Sequence, residues 1–328
     1  MNIRQIANDG PQSMVNRSLS TSGGQGDAVE RCILCAHGHI RFIANIPVEM
    51  IVSGWRQTFD IDVRAELGAL DHISLYSCAN CGLKFFHPPA AGSELFYSRL
   101  QKNDWYYMPD KWEFSQALQD IPASARLLEV GSGSGSFIRK AIAGGLQAEG
   151  IELNDGAVQL ARQQDLPVAR ANLFDLAASS PAAYDAVCCF QVLEHIPEPN
   201  RFLEACAALL KSGGCLAVSI PNEDSFIRYD REDLLNKPPH HITHWSRRVL
   251  EFLPRLFPLR LVRIEFEPLA PYHLDWYASV QRNRLSGDSR LGRLAQRSYN
   301  IIFNSLIKPT GLYRLVRGHT VYACYRKF

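Results

Sequence analysis

The sequence predicts an α/β fold: one sheet of seven strands alternating with helices, a small cysteine-bearing module ahead of it, and a largely helical insertion before the last strand. Three observations carry this. Strand and helix signals alternate after Ala123, a glycine-rich loop at 131–135 joins the first strand of that series to its first helix, and two Cys-x-x-Cys pairs stand near the N-terminus. Strands alternating with helices imply right-handed crossovers and a sheet covered on both faces.

The elements follow in order. Residues 1–27, rich in Ser, Gly, Asn and Gln, lack apolar periodicity and read as a disordered tail. Residues 28–90, bracketed by the cysteine pairs, read as a metal-binding module. Residues 91–121, with Phe96, Tyr97, Trp105, Tyr106, Tyr107, Trp112 and Phe114, read as an aromatic-rich helical linker, and 122–328 as the main domain. Arg126–Val130 is a short apolar strand; Phe137, Ile138, Ala141 and Ile142 recur at helical spacing until Gly144 and Gly145 stop the helix. Further strands are read at 148–152, 167–171, 185–190, 215–220, 259–266 and 320–325, with helices at 155–164 and 201–210. Residues 270–318 form the helical insertion.

Composition excludes several classes. The 328 residues are 46% hydrophobic and 21% charged, ordinary for a soluble globular chain. No run approaches the roughly 18 apolar residues of a membrane span, and the N-terminus lacks a secretory pattern. Nine cysteines, an odd number, without such a signal point to a reducing, cytoplasmic setting. The net charge of +2 hides an asymmetry. From Gln281 to Phe328 there are ten Lys/Arg against Asp288, a balance of +9 that leaves −7 on the remainder. Such a split points to an anionic partner.

Leu127-Leu128-Glu129-Val130-Gly131-Ser132-Gly133-Ser134-Gly135 is the most informative stretch. Three alternating glycines let the backbone turn sharply and a ligand approach closely. The dinucleotide pattern needs glycine at the sixth position, where Ser136 stands, and a P-loop lysine is absent. Glu129 would repel a pyrophosphate but could receive an ammonium group. Glu152, 21 residues after Gly131 at the end of the second strand, can accept both hydroxyls of a ribose. A nucleoside with a cationic tail and no phosphate fits, which describes S-adenosylmethionine (SAM). The plain alternative is a tight turn capped by an acid.

Residues 127–220 resemble a class I SAM-dependent methyltransferase. The matching pieces are LLEVGSGSG, IEL at the second strand, YDAVCCFQVLEHIPEP at the fourth and LKSGGCLAVSIPN at the fifth. The resemblance implies a Rossmann-like seven-stranded sheet. It places Gly131, Ser132, Gly133 and Gly135 around the methionine portion of SAM, Glu129 near its amino group, Glu152 with Leu153 at the ribose, Asn172 and Leu173 at the adenine, and Gln191 beside the reacting end. His195, with Glu194 beside it, would face the methyl group as a general base; the alternative is that it packs a turn. Related quinone-ring O-methyltransferases bind a divalent metal here through Glu-x-x-Glu-His, but the first position is Gln191, an amide, which weakens that reading.

Pro238-Pro239-His240-His241-Ile242-Thr243-His244-Trp245-Ser246 is a second cluster. Its histidines invite a metal reading, while the prolines before them and a helix beginning at Ser246 suggest a structured loop. Similar stretches occur in methyltransferases of sugar and polysaccharide biosynthesis, which implies that His241 and His244 meet substrate. Cys32, Cys35, Cys78 and Cys81 form two knuckles aimed at one point, a closed and therefore structural Cys₄ zinc site in a ribbon-like module. The 42 residues between the pairs read as an insertion, including an alternating stretch at 59–63. A zinc knuckle ahead of a SAM domain also resembles sugar C-methyltransferases.

The leading expectation is therefore a zinc-stabilised methyltransferase acting on a sugar, nucleotide-sugar or other glycan-linked small molecule. RNA modification is the second reading, disfavoured by sparse basic residues around the knuckles; a non-catalytic SAM-binding scaffold is the third. The basic segment is expected to cover a phosphate-bearing acceptor, to rest on an anionic membrane, or simply to be a solvated helical face.

Overall fold

A computed structural model of the chain describes residues 29–103, 105–285 and 290–328. The tail expected at 1–27 lies outside the described residues. Two sheets organise the molecule. The first is four-stranded and antiparallel: β1 (Ile40–Pro47), β2 (His72–Cys78), β3 (Lys84–His87) and β9 (Thr243–His244), in that order. The second has seven strands in the order β10-β11-β8-β7-β4-β5-β6. Its members are β4 (Arg126–Val130), β5 (Gln147–Glu152), β6 (Val168–Arg170), β7 (Tyr184–Phe190), β8 (Leu210–Pro221), β10 (Leu259–Pro268) and β11 (Arg317–Lys327). The strands from β6 to β8 are parallel, and β11 slots antiparallel between β8 and β10.

All seven strands expected from the sequence are present. In the short β4, Leu127, Leu128 and Val130 are all buried because the strand is covered on both sides. Phe137, Ile138 and Ala141 are the buried face of the helix Ser136–Ala143. Two helices were not legible: Val48–Phe59 in the N-terminal module, and Leu173–Ser179 between β6 and β7, which is capped by the Asn172 side chain. The alternating stretch at 59–63 is not a strand. Helix Val48–Phe59 ends there, and Asp60 takes a left-handed conformation at its C-cap. Trp55 and Ile51, one turn apart, are fully buried from this helix against Phe96. Ser246 stands at the N-cap of helix Arg247–Phe252, but its side chain makes no capping bond; the Asp224 carboxylate accepts from the Arg247 N–H instead.

Two contacts position the site. Helix Trp112–Asp120 lies across the main sheet, where Asp120 accepts from the Tyr322 hydroxyl and the Arg263 guanidinium, each at 2.8 Å. The segment 238–246 is sewn between the two sheets: Phe86 N–H donates to the Ile242 carbonyl (2.9 Å) and Ile242 N–H to the Glu194 carbonyl (2.8 Å). The N-terminal sheet thus borrows its last strand from beyond β8. Among the described residues, no helix is long and apolar enough to cross a membrane.

Candidate active site

A cavity of about 1600 Å³ opens at the carboxyl ends of β4, β5 and β7, where ligands sit in sheets of this kind. Its floor is the glycine loop. Gly131 and Gly133 have φ of 73° and 52°, and a Cβ on them would lie 2.6 Å from Val192 and 2.7 Å from Tyr107. Both conformation and space therefore demand glycine there.

Glu129, Gly131, Ser132, Gly133, Glu152, Leu153, Asn172, Leu173 and Gln191 all line this cavity. Gly135 lies behind it as the N-cap of the following helix. Glu129 is buried, its Oε2 has no hydrogen-bond partner, and burial holds its carboxyl well above the usual range. An unpaired buried carboxylate is costly, so a bound ammonium group, such as the one SAM carries, would relieve it. Glu152 is already engaged, its Oε2 accepting from Gly133 N–H (2.9 Å) and its Oε1 from Leu153 (2.7 Å) and Asn154 (2.9 Å). Oε1 already accepts two bonds and Oε2 one, so Oε2 keeps a lone pair with which it could accept from a ribose hydroxyl. Asn172 uses its side chain on the helix cap, leaving its backbone and Leu173 to face the cavity. Gln191 adopts a left-handed φ of 56°, held by its N–H to the Ser219 carbonyl, and aims its amide at the buried Glu113 (3.4 Å).

The opposite wall carries the histidines. His195 Nδ1 lies 2.5 Å from the His240 carbonyl, His240 Nδ1 2.8 Å from the Leu235 carbonyl, and His241 Nδ1 3.2 Å from Asn236 Oδ1. Each partner can only accept, so each Nδ1 carries the hydrogen and each Nε2 holds a lone pair. Burial reinforces this, lowering His195 to about 4 and His240 and His241 well below the usual histidine range. One ring nitrogen from each of the three lies within 4.8 Å of the others, a spacing that a metal could also bridge. Glu194 is buried, with both oxygens lacking hydrogen-bond partners and one of them 3.8 Å from His195 Nε2; burial raises it to about 8.

The histidine assignment from sequence needs one correction. His244 is not among the cavity-lining residues: its Nε2 donates to the Asn236 carbonyl (2.9 Å), and its ring abuts Phe86 and Glu223. His244 sits in strand β9, paired with Lys84 of β3, while His240 and His241 precede that strand, and the neighbour that joins His195 and His241 is His240. Missed as well were Tyr97, Tyr106 and Tyr107, which the linker contributes to the wall. Tyr97 OH lies 3.2 Å from His195 Nδ1. Their aromatic run was visible; its destination was not. The insertion gives the cavity Tyr272, His273 and Trp276, while the only Lys or Arg lining it among the described residues are Lys111 and Arg170, the latter paired with Asp155 and Glu94.

The four N-terminal cysteines converge. Cys32 and Cys81 sulfurs are 3.6 Å apart, as are those of Cys35 and Cys78, and all four form one cluster. Four thiolates about 2.3 Å from a tetrahedral zinc would stand roughly 3.8 Å apart, so the cluster fits that ion. Leu34 N–H and Asn80 Nδ2 point at the sulfurs of Cys32 and Cys35, the outer hydrogen bonds such sites carry. Cys188, Cys189, Cys206, Cys215 and Cys324 are buried in the main domain.

Residues 104–261 match the Methyltransf_23 family model, described as a methyltransferase domain. The chain is 39% identical over 109 residues to a ubiquinone biosynthesis O-methyltransferase of Xanthomonas axonopodis pv. citri, covering 31% of this chain and 45% of that protein. It is 37% identical over 122 residues to a protein of the same description from Xanthomonas oryzae pv. oryzae, covering 35% and 50%. The chain thus spans about half the length of the curated relatives it matches. A solved SAM-dependent methyltransferase from Archaeoglobus fulgidus superposes with a TM-score of 0.50 at 18% identity, covering 71% of this chain and all of that one. The main sheet therefore has the class I methyltransferase fold, and residues 104–261 are similar to a methyltransferase domain.

Proposed function

We propose that this protein transfers a methyl group from SAM to a hydroxyl of a small, hydroxyl-rich acceptor. The observation that carries the reading is the wall of His195, His240 and His241, each with its Nδ1 hydrogen engaged and its Nε2 lone pair free, with the unpaired carboxyl of Glu194 3.8 Å from His195 Nε2. Such a wall accepts hydrogen bonds and donates few, so it suits a molecule presenting several O–H groups. Bound SAM supplies an electrophilic methyl group on a sulfonium that leaves as a neutral thioether. His195 Nε2 takes the acceptor proton as the oxygen lone pair forms the new bond, and the imidazolium so formed favours ionisation of Glu194, 3.8 Å away, which burial otherwise keeps protonated. The aromatic walls exclude water and hold the acceptor, and alignment supplies much of the rate.

Within that class, a sugar, nucleotide-sugar or glycan-linked acceptor of surface polysaccharide biosynthesis is the leading reading. It rests on the zinc-knuckle layout and the proline-histidine loop. A dihydroxylated aromatic ring is the second, favoured by the aromatic lining and by the description of the Xanthomonas relatives. The Cys₄ cluster holds a structural zinc, and the protein works in the reducing cytoplasm. Labelled SAM tested against nucleotide-sugars, lipid-linked glycans, catechols and RNA checks the reading, with label expected on an oxygen of one of the first three. Transfer to RNA, or none to any hydroxyl, would overturn it. His195→Ala is expected to lower kcat about 10²–10⁴-fold with SAM affinity unchanged; full turnover in that variant would remove the base.

A further inference from the structure

We propose that the lobe preceding the last strand docks on an anionic membrane surface. The helix Arg290–Ile302 buries one side through Tyr299 and, just beyond it, Phe303, which stack on each other. Its other side faces outward: Leu294 and Ile301, seven residues or two turns apart, share a face with Arg297 between them. Ile302, at the end of the helix, and Leu306, Leu312 and Leu315, on the segments that follow it, are exposed as well, Ile301 being 66% and Leu315 83% exposed. A stable lobe does not need these side chains outside, since Phe303, Tyr313 and Leu274 already build its core. Exposed apolar groups gathered in this way mark an interaction site.

Charge decides the occupant. From Arg290 to Phe328 the sequence has eight Lys/Arg and no Asp or Glu, on a chain whose remainder is acidic. Arg297, Arg314 and Arg317 are exposed and, among the described residues, have no carboxylate within ion-pairing distance. Arg314 and Arg317 lie over Tyr313 and Phe266. Aliphatic side chains rimmed by unpaired arginines match a surface that offers hydrocarbon beneath a layer of phosphates. Nucleic acid would satisfy the arginines but leave the leucines and isoleucines in water. The contact lies on the bilayer rather than through it. The same lobe supplies Tyr272 and Trp276 to the cavity, so docking brings the cavity's rim toward the lipid. None of this depends on methyl transfer.

Cosedimentation of the full chain with vesicles tests the proposal. The wild type is expected to pellet with vesicles of one-third phosphatidylglycerol in phosphatidylcholine, and at least tenfold less with pure phosphatidylcholine. Ile301→Asp/Leu315→Asp, both at exposed positions, should lower anionic-vesicle binding at least tenfold with the melting temperature unchanged. Arg297→Gln/Arg314→Gln should weaken it and flatten its salt dependence. No binding to anionic vesicles, equal binding to neutral ones, or full binding by both variants would overturn the proposal. So would self-association that is lost in Ile301→Asp/Leu315→Asp without any vesicle binding, which would assign the face to a second copy of the chain.

Discussion

Glu129 shows how one residue can be read twice. In the sequence it is an acid two positions before a glycine; in the structure it is a buried carboxyl with an unpartnered oxygen at the cofactor end of the cavity. Burial raises its pKa, so the empty protein holds it protonated more readily than a bound ammonium would. Glu129→Gln keeps the shape and removes the charge. SAM affinity measured by calorimetry is expected to fall about 10–150-fold, the worth of a charge-assisted hydrogen bond of about 1.5–3 kcal/mol. Wild-type affinity in that variant would show that the ammonium lies elsewhere. Gly133 and Glu152 were equally legible because loop spacing and strand ends are local. His240 was not singled out, because only the return of the 238–246 segment against the turn after β7 brings it to His195.

At the scale of elements, the N-terminal module does more than precede the main domain. Its helix Val48–Phe59 sends Trp55 toward His240, with ring centroids 6.3 Å apart, and its strand β3 pairs with β9 beside the histidine loop. The four-cysteine cluster closes the far end of the same sheet at Cys78 and Cys81. Stripping metal with a strong chelator is therefore expected to loosen this sheet and, through β9, the histidine wall. Four thiols should become reactive to a thiol reagent before the remaining five, which are buried in the main domain. Simultaneous reaction of all nine would mean that the cluster contributes no separate stability. Helix Trp112–Asp120 plays a comparable part on the other side, tied by Asp120 to β10 and β11 while Phe114 packs on Phe137 and Phe190.

Across the whole molecule, buried histidines set the response to acid. His195, His240, His241, His244, His273 and His319 all have pKa values lowered chiefly by burial. Below their unfolded value of about 6.5 the unfolded chain binds more protons at these positions, so stability falls as pH drops from there toward about 4. Glu129, Glu194, Glu267 and Asp233 are raised by burial and act in the opposite sense, binding more protons when folded and losing stability as pH rises from about 4 through 6 to 8. The melting temperature of the ligand-free protein is expected to peak near pH 6.5. A steady rise from pH 6.5 to 8 would contradict the raised carboxyls, and a flat profile from 4.5 to 6.5 the buried histidines.

Taken alone, the sequence determined the seven strands, the glycine loop with its two acids, and the cysteine quartet. Each is written in short-range spacing: alternating strand and helix periods, residues that must tolerate positive φ, and thiols two residues apart. Only the tertiary structure decided which aromatics wall the cavity, that His240 rather than His244 joins His195, and that the basic insertion turns its arginines and leucines outward. Those outcomes depend on contacts between segments 40 to more than 100 residues apart, such as Tyr97 with His195 and Asp120 with Tyr322. Local periodicity carries no information about which distant surface a side chain will meet, and that meeting is settled by the burial of the whole core.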